Sequence, residues 1–190
     1  MSKLILASTS PRRQQLLNNL GMHFEIIPPA SGAEIEFTGG DPVTYAITLA
    51  CNKANQVADV AVNRLVLAAD TIVVKDGDIL GKPESKQAAK EMLELLSGSV
   101  HQVITGLCLK KGDDSITSFE KTIVHFRELT ADEIERYVDT GEPMDKAGGY
   151  GIQGKGALLV SYIEGCYYNV VGLPLTRLAS MLKEFGITIL

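Results

Sequence analysis

The chain has 190 residues, of which 45% are hydrophobic and 22% charged, and carries a net charge of −5. That length allows one good-sized core, or two small lobes sharing a sheet, in a globular protein. An acidic balance with no basic stripe argues against a nucleic-acid backbone binder, though a local basic cluster still suits a small anionic ligand.

Cys51, Cys108 and Cys166 are an odd number without Cys-x-x-Cys spacing, which fits reduced thiols. Neither a leader nor an apolar run near the ~18 residues of a membrane span is evident. A cytoplasmic protein that engages neither membrane nor nucleic acid is therefore expected.

Residues 3–7 read as a short strand, followed directly by Ser8-Thr9-Ser10-Pro11-Arg12-Arg13. Ser10 suits an N-cap and Pro11 the first helical position, so a helix is expected over 11–19 with Leu16, Leu17 and Leu20 inward. Arg12 and Arg13 then occupy its first turn, where the helix dipole disfavours each cation by ~0.3–1 kcal/mol. Beside free N–H groups and serine hydroxyls, that placement suits a bound phosphate. The alternative is a pair of solvated surface arginines. A second strand is expected over 22–28 and a loop over 28–42, carrying Glu34, Glu36 and Asp41. A long helix follows over 43–62, its apolar stripe including Ala46, Leu49, Ala50, Val57 and Val60. Lys53 falls on the same stripe. Either its amine snorkels to solvent, or it points a further basic group at a site near Asp70.

Residues 65–74 read as a buried central strand, because aliphatic and β-branched residues fill nearly every position. Asp70 and Thr71 interrupt it. An ionised carboxylate there is unfavourable unless a cation or several donors meet it. The apolar run resumes as Ile72-Val73-Val74, which argues against an Asp that merely caps a turn. The favoured reading is a carboxylate at the floor of a site, binding a metal or taking a proton from water. Gly77-x-x-x-Gly81-Lys82-Pro83 fails as a phosphate loop, one residue short and with Pro after the lysine, yet Lys82 can still reach a phosphate as a point charge.

A helix is expected over 84–96, with Ala88, Ala89, Met92, Leu95 and Leu96 inward and Gly98 as its stop. Strands over 100–110 and 115–127 are joined by Lys111-Gly112-Asp113-Asp114, and Thr130-Ala131-Asp132-Glu133 forms a capping box for a helix ending near Gly141. The glycine-dense stretch Asp145-Lys146-Ala147-Gly148-Gly149-Tyr150-Gly151-Ile152-Gln153-Gly154 lets backbone approach a ligand closely. A strand over 157–163 follows. Asn169-Val170-Val171-Gly172-Leu173-Pro174 then leads into a last helix with Leu175, Leu178, Ala179 and Leu182 inward. Strands and helices alternate without an internal repeat, giving an α/β chain.

Four ordered motifs together resemble the Maf family of nucleoside triphosphate pyrophosphatases. They are Ser8 to Arg13, Ala68-Ala69-Asp70-Thr71 with Gly81-Lys82-Pro83, the stretch from Asp145 to Gly154, and Asn169 to Pro174. The resemblance spans essentially the whole chain, read as a single domain over 1–190. It is nearest the branch acting on dTTP and UTP; the branch acting on 7-methyl-GTP differs at the positions of Arg12, Thr71 and Gln153.

The resemblance implies an α/β fold shared with inosine triphosphate pyrophosphatases: a long, bent mixed sheet flanked by helices, in two lobes with a central cleft, usually as a homodimer. It implies conversion of a nucleoside triphosphate and water to the monophosphate and pyrophosphate, with a divalent cation, Mg²⁺ or Mn²⁺. Asp70 would be the proton acceptor, with Ser8, Arg13, Lys53 and Lys82 around the phosphates. Arg12, Thr71 and Gln153 would select the base, and Glu34 would help Asp70 hold the metal. Gly149 departs from the Ala of many members, and Ala33-Glu34 stands where an Asp-Glu pair is common.

Residue chemistry agrees with this. Attack on an α-phosphorus needs an activated water and a charge sink for pyrophosphate, which a carboxylate, a divalent ion and several cations supply. Ser8 has no evident His partner, and His23, His101 and His125 lie in unrelated segments, so neither a triad nor a His/Cys zinc site is expected. Gln153 can both donate and accept, matching the O4 and N3–H edge of uracil or thymine. Two competing readings are a nucleotide-sensing regulator of cell division (septum formation) with incidental hydrolysis, and a purine-directed house-cleaning pyrophosphatase.

Overall fold

The computed structural model describes residues 4–30 and 37–190. Its first half contains β1 (Leu4–Leu6), α1 (Pro11–Asn19), β2 (Phe24–Ile26), α2 (Pro42–Ala58), β3 (Val66–Lys75), β4 (Asp78–Leu80) and α3 (Lys86–Leu96). The second half contains β5 (Val100–Lys111), β6 (Asp114–Phe126), α4 (Ala131–Asp139), β7 (Val160–Glu164), α5 (Tyr167–Val171) and α6 (Leu175–Glu184). Short 3₁₀ turns occupy Glu142–Asp145, Ala147–Gly149 and Gly154–Leu159. The strands form a seven-stranded mixed sheet of order β2-β1-β3-β5-β6-β7, with β4 paired to β3. β1 runs parallel to β2 and β3, whereas β3–β4 and β6–β7 are antiparallel. The α/β architecture read from the alternating pattern is the one observed.

The chain divides into two compact units: one of Met1–Asp70, Thr105–Glu120 and Gly172–Leu190, the other of Thr71–Ile104 and Lys121–Val171. In the first, Ile5, Ala7, Ala50, Ala54, Val57, Val66, Ala68 and Cys108 belong to one buried cluster. Helix α2 starts where the Asp41 carboxylate accepts the Val43 and Thr44 N–H groups at 3.3 and 3.0 Å, with Pro42 at the first helical position. Its inner face carries Ala46, Ala50 and Ala54, all fully buried. These small residues let the helix lie directly on β5. A methyl group added at Gly106 would fall 2.3 Å from the Ala46 carbonyl oxygen and 2.5 Å from the Ile47 nitrogen. The helix is shorter than its periodicity suggests. After Ala58 the chain turns through Asn63, at φ 58, to enter β3, and leaves Val60 72% exposed.

The second unit packs Val73, Leu93, Leu96, Val103, Val124, Phe126, Ile134, Val138 and Tyr150 into its own core. Ser85 caps α3 through the Ala88 N–H at 3.1 Å, and Thr130 and Glu133 form the expected capping box on α4. The buried stripe of α3 is Ala89, Leu93 and Leu96; Leu95, expected inward, points outward. Residues 157–159, expected as strand, belong to a 3₁₀ turn, and the strand proper begins at Val160. β4 and α5 are additional elements. β4 arises because Asp76 and Gly77, at φ 52 and 94, form a tight hairpin that returns the chain along β3.

His101 lies in this second core, 2% exposed, and shares a 2.6 Å hydrogen bond with the Tyr150 hydroxyl. Its Nδ1 finds no partner among the described residues, so an imidazolium would bury an unpaired N–H. Burial first, then the positive charges of Lys75 and His125, push the ring's pKa down to about 4.

Two outcomes follow from this packing. Gly106→Ala forces helix and strand backbones apart and is expected to lower stability by ~1–3 kcal/mol or more, read as a shift in the urea midpoint. For His101, the unfolded ring binds its proton near pH 6.5 and the folded ring only near 4, so the unfolded state holds more protons between those values. Stability therefore falls as pH drops through that window, by something on the order of 3 kcal/mol. Ring resonances followed by NMR should show His101 neutral down to below pH 5, and titration near 6.5 would contradict this account.

Candidate active site

The expected site residues group within the two units. In the first, β3 carries Asp70 at its centre, and the burial of the strand is broken only at Asp70, Thr71 and its terminal Lys75. β1 pairs with Val66 and Leu67, and β4 with Val73 to Lys75, so residues 68–72 lie between the two pairings. Lys53 of α2 donates from Nζ to Asp70 Oδ1, with the two side chains only 17% and 14% exposed. The lysine on the apolar stripe thus does not snorkel. Of its two sequence readings, the structure takes the one pointing at Asp70.

Helix α1 begins at Pro11, as expected, but Ser10 makes no side-chain cap. Ser8 turns back on the stretch before the helix instead: its hydroxyl oxygen accepts the Ser10 N–H at 3.2 Å and Arg13 Nη1 at 3.2 Å. With both lone pairs so engaged, the buried Ser8 hydroxyl can serve a ligand only as a donor. Arg13 also donates from Nε to the Gly172 carbonyl at 2.8 Å. Burial lowers its pKa from the ordinary arginine value; the Asp70 carboxylate acts in the opposite sense, and the adjacent Arg12 lowers it further. Two cations, Lys53 by direct contact and Arg13 through its charge, thus act on the Asp70 carboxylate, and Arg12 adjoins Arg13. Such a grouping of cations suits a polyanion such as a polyphosphate chain.

In the second unit, Lys82 is exposed and Gln153 half-buried. Their loops are joined, because the Gly148 N–H donates to the Gly81 carbonyl at 2.9 Å. Gly148, at φ 69, sits where an added Cβ would lie 3.0 Å from a Val73 methyl. The glycines here pack loop against strand. Thr71 is half-buried and follows Asp70 directly on β3, so the two side chains leave the strand on opposite faces.

The metal expectation named Asp70 and Glu34. Glu34 lies outside the described residues. Among the described residues no group of three or more His, Cys, Asp or Glu could hold an ion by itself. Magnesium commonly uses one or two carboxylates and completes its shell with phosphate oxygens and water. Asp70, a half-buried carboxylate, is an oxygen donor of that kind.

A family model described as Maf-like protein matches residues 3–185. The chain belongs to the Maf family. A relative named dTTP/UTP pyrophosphatase, from Bacillus anthracis (strain CDC 684 / NRRL 3495), is 50% identical over 192 residues, covering 100% of this chain and 98% of that protein. Another of that name, from Bacillus cereus (strain ATCC 10987 / NRS 248), is 48% identical and covers 100% of this chain and 93% of its own length. Among solved structures, a HAM1 protein from Coxiella burnetii aligns with a TM-score of 0.53 at 19% identity, covering 97% of this chain and 100% of that one. At that identity the likeness concerns the fold alone. The three cysteines of this Maf protein are free thiols, and no helix among the described residues is long and apolar enough to cross a membrane.

Sequence reasoning missed the Gly172 carbonyl as the anchor of Arg13, since a backbone acceptor leaves no residue-type signal. It also missed Tyr137 and Glu142, which contact the glycine-dense loop. Arg13→Lys removes the fork that holds Ser8 and Gly172 together, and Ser8 Oγ keeps only the Ser10 N–H. Calorimetric titration with inorganic pyrophosphate should show affinity reduced at least about tenfold, a change of ~1.4 kcal/mol.

Proposed function

We propose that this Maf protein is a nucleoside triphosphate pyrophosphatase that hydrolyses dTTP and UTP to the monophosphate and pyrophosphate. The observation that carries the reading is the Lys53–Asp70 contact beside Arg13 and Ser8. A carboxylate in contact with one cation and near another supports the reading of a proton acceptor beside a triphosphate. The names of relatives half identical over the whole chain support the substrate class.

In this reading Asp70 accepts the proton of the water that attacks the α-phosphorus. Lys53 holds Asp70 in one orientation until substrate arrives. A triphosphate brings several negative charges, and these compete with Asp70 for Lys53 and draw on Arg13. The exchange turns Oδ1 toward water at the moment the base is needed. Ser8 donates to a phosphate oxygen, and Lys82 meets the leaving pyrophosphate as a mobile point charge. A divalent ion held by Asp70 and Glu34 would neutralise charge on the triphosphate and acidify water near it. Arg12, Thr71 and Gln153 select the base, with the Gln153 amide donating to O4 and accepting from N3–H. A base that presents the reverse pattern leaves these groups unpaired.

Pyrophosphate release across a panel of nucleoside triphosphates tests the reading. dTTP and UTP should lead, EDTA should abolish turnover, and added Mg²⁺ or Mn²⁺ should restore it. Asp70→Asn keeps the shape and the contact with Lys53 but removes the base, and should lower kcat by roughly 10²–10⁴-fold. A wild-type protein inert on every triphosphate would overturn the proposal, and activity confined to purines would remove Arg12, Thr71 and Gln153 from their role.

A further inference from the structure

The loop 151–156 closes on itself. A Cβ added at Gly156 would lie 2.1 Å from the Gly151 carbonyl oxygen and 2.6 Å from the Tyr137 hydroxyl. The two ends of the loop thus meet, and Gln153 stands between them. Both ends are tied to one carboxylate. At the far end, Glu142 Oε2 accepts the Lys155 N–H and Oε1 the Gly156 N–H, each at 3.2 Å. At the near end the tie runs through Tyr137, whose hydroxyl accepts the Gly151 N–H at 3.3 Å and donates to Glu142 Oε1 at 3.1 Å.

The backbone that carries this carboxylate is itself fixed. The Glu142 N–H donates to Thr140 Oγ1 at 3.1 Å, and Lys146 Nζ donates to the Glu142 carbonyl. Tyr137 is 5% exposed on α4, and burial raises its phenol pKa, so the hydroxyl keeps the proton that it donates. Glycine is required at 154 for a related reason: at φ 66 its Cβ would also press on the Glu142 carboxylate at 3.0–3.3 Å.

We infer that Glu142 and Tyr137 are positioning residues for base selection: one carboxylate, acting through one phenol, holds both feet of loop 151–156 and so fixes where Gln153 presents its amide. The inference rests on the proposed role of Gln153. An amide that must donate to O4 and accept from N3–H has a narrow range of useful orientations. A glycine loop with free feet would spread Gln153 over many of them, and substrate binding would have to order it. Neither residue touches the reacting phosphate in this reading. Their loss should therefore act on KM and base discrimination and spare kcat.

The test uses the full chain in steady-state assays with UTP, dTTP and CTP, comparing wild type, Tyr137→Phe, Glu142→Gln, Gln153→Ala and the double variant Tyr137→Phe/Gln153→Ala. Tyr137→Phe keeps the buried ring and removes only the hydroxyl, and Glu142→Gln keeps one acceptor oxygen at similar volume. The expected result is a roughly 5–20-fold rise in KM for UTP and dTTP, with kcat within about threefold, and a UTP-over-CTP preference reduced toward that of Gln153→Ala. In the double variant, Tyr137→Phe should add little to the loss of discrimination, because it acts through Gln153. Wild-type KM and preference in both positioning variants, alongside lost preference in Gln153→Ala, would overturn this inference and leave the role of Gln153 standing. Equal loss of kcat on all three nucleotides would also overturn it, as general damage to the fold. An unchanged preference in Gln153→Ala would remove the role of Gln153, and the inference with it.

Discussion

A carboxylate at the centre of an apolar strand is stable only if a cation reaches it, and that requirement shapes the first unit around Asp70. Lys53 reaches it because α2 lies close to the sheet. The helix lies close because Ala46, Ala50 and Ala54 offer no bulk, and because β5 has Gly106 where the backbone of Ala46 comes down. Packing geometry and electrostatics are thus one problem here. Unit charges 4 Å apart interact by about 4 kcal/mol at an effective dielectric of 20, and the value falls with distance while the loss of solvation does not. A helix lifted by a single methyl group would weaken the pair and keep both charges half-buried.

Around Asp70 the same unit gathers cations: Lys53 in direct contact, and Arg13 with Arg12 beside it. Burial depresses the Arg13 pKa, Asp70 acts against this, and Arg12 adds repulsion, so the cations are held together at an electrostatic cost. Preorganised sites have this property, since their dipoles and charges are set before the ligand arrives and need little rearrangement during reaction. The chain as a whole is acidic, at −5, yet this does not weaken the local field much. Charges beyond ~8 Å are screened at physiological ionic strength, whereas groups in direct contact are not. Locality decides the sign that an anionic ligand meets.

Much of this was legible in the sequence, and the exceptions have physical causes. Asp70 stood out because polarity in the middle of an aliphatic run has few structural explanations. Lys53 was ambiguous, because a lysine on a helical stripe has the same spacing whether it snorkels or pairs. Periodicity alone places Val60 and Leu95 inward, but α2 ends before Val60, and α3 turns its Ala89–Leu93–Leu96 edge to the core. The Asp76-Gly77 hairpin carries a strong local signal, but the strand after it is only three residues long. Residues 157–159 looked like strand because Ala-Leu-Leu is apolar; the closed glycine loop before them holds the chain in 3₁₀ turns until Val160. Carbonyl anchors such as Gly172, and a carboxylate such as Glu142 that serves backbone N–H groups, leave no spacing pattern to read.

The glycine-dense stretch is where sequence intuition and structure diverge most in meaning. Many glycines suggest a loose loop, because glycine loses the most backbone entropy on ordering. Here the glycines make order possible. Gly156 leaves the room in which the Gly151 carbonyl and the Tyr137 hydroxyl approach, and Gly148 lets the turn sit against Val73. The ordering entropy is then met once, at folding, by hydrogen bonds to Glu142 and Tyr137 and by burial of Tyr150. Selectivity between uracil and cytosine depends on which polar atoms are left unpaired in the wrong complex. That penalty is felt only if the loop cannot move to relieve it. If Gln153 reads the base as proposed, a rigid bracket around it serves rejection of the wrong base as well as affinity toward the right one.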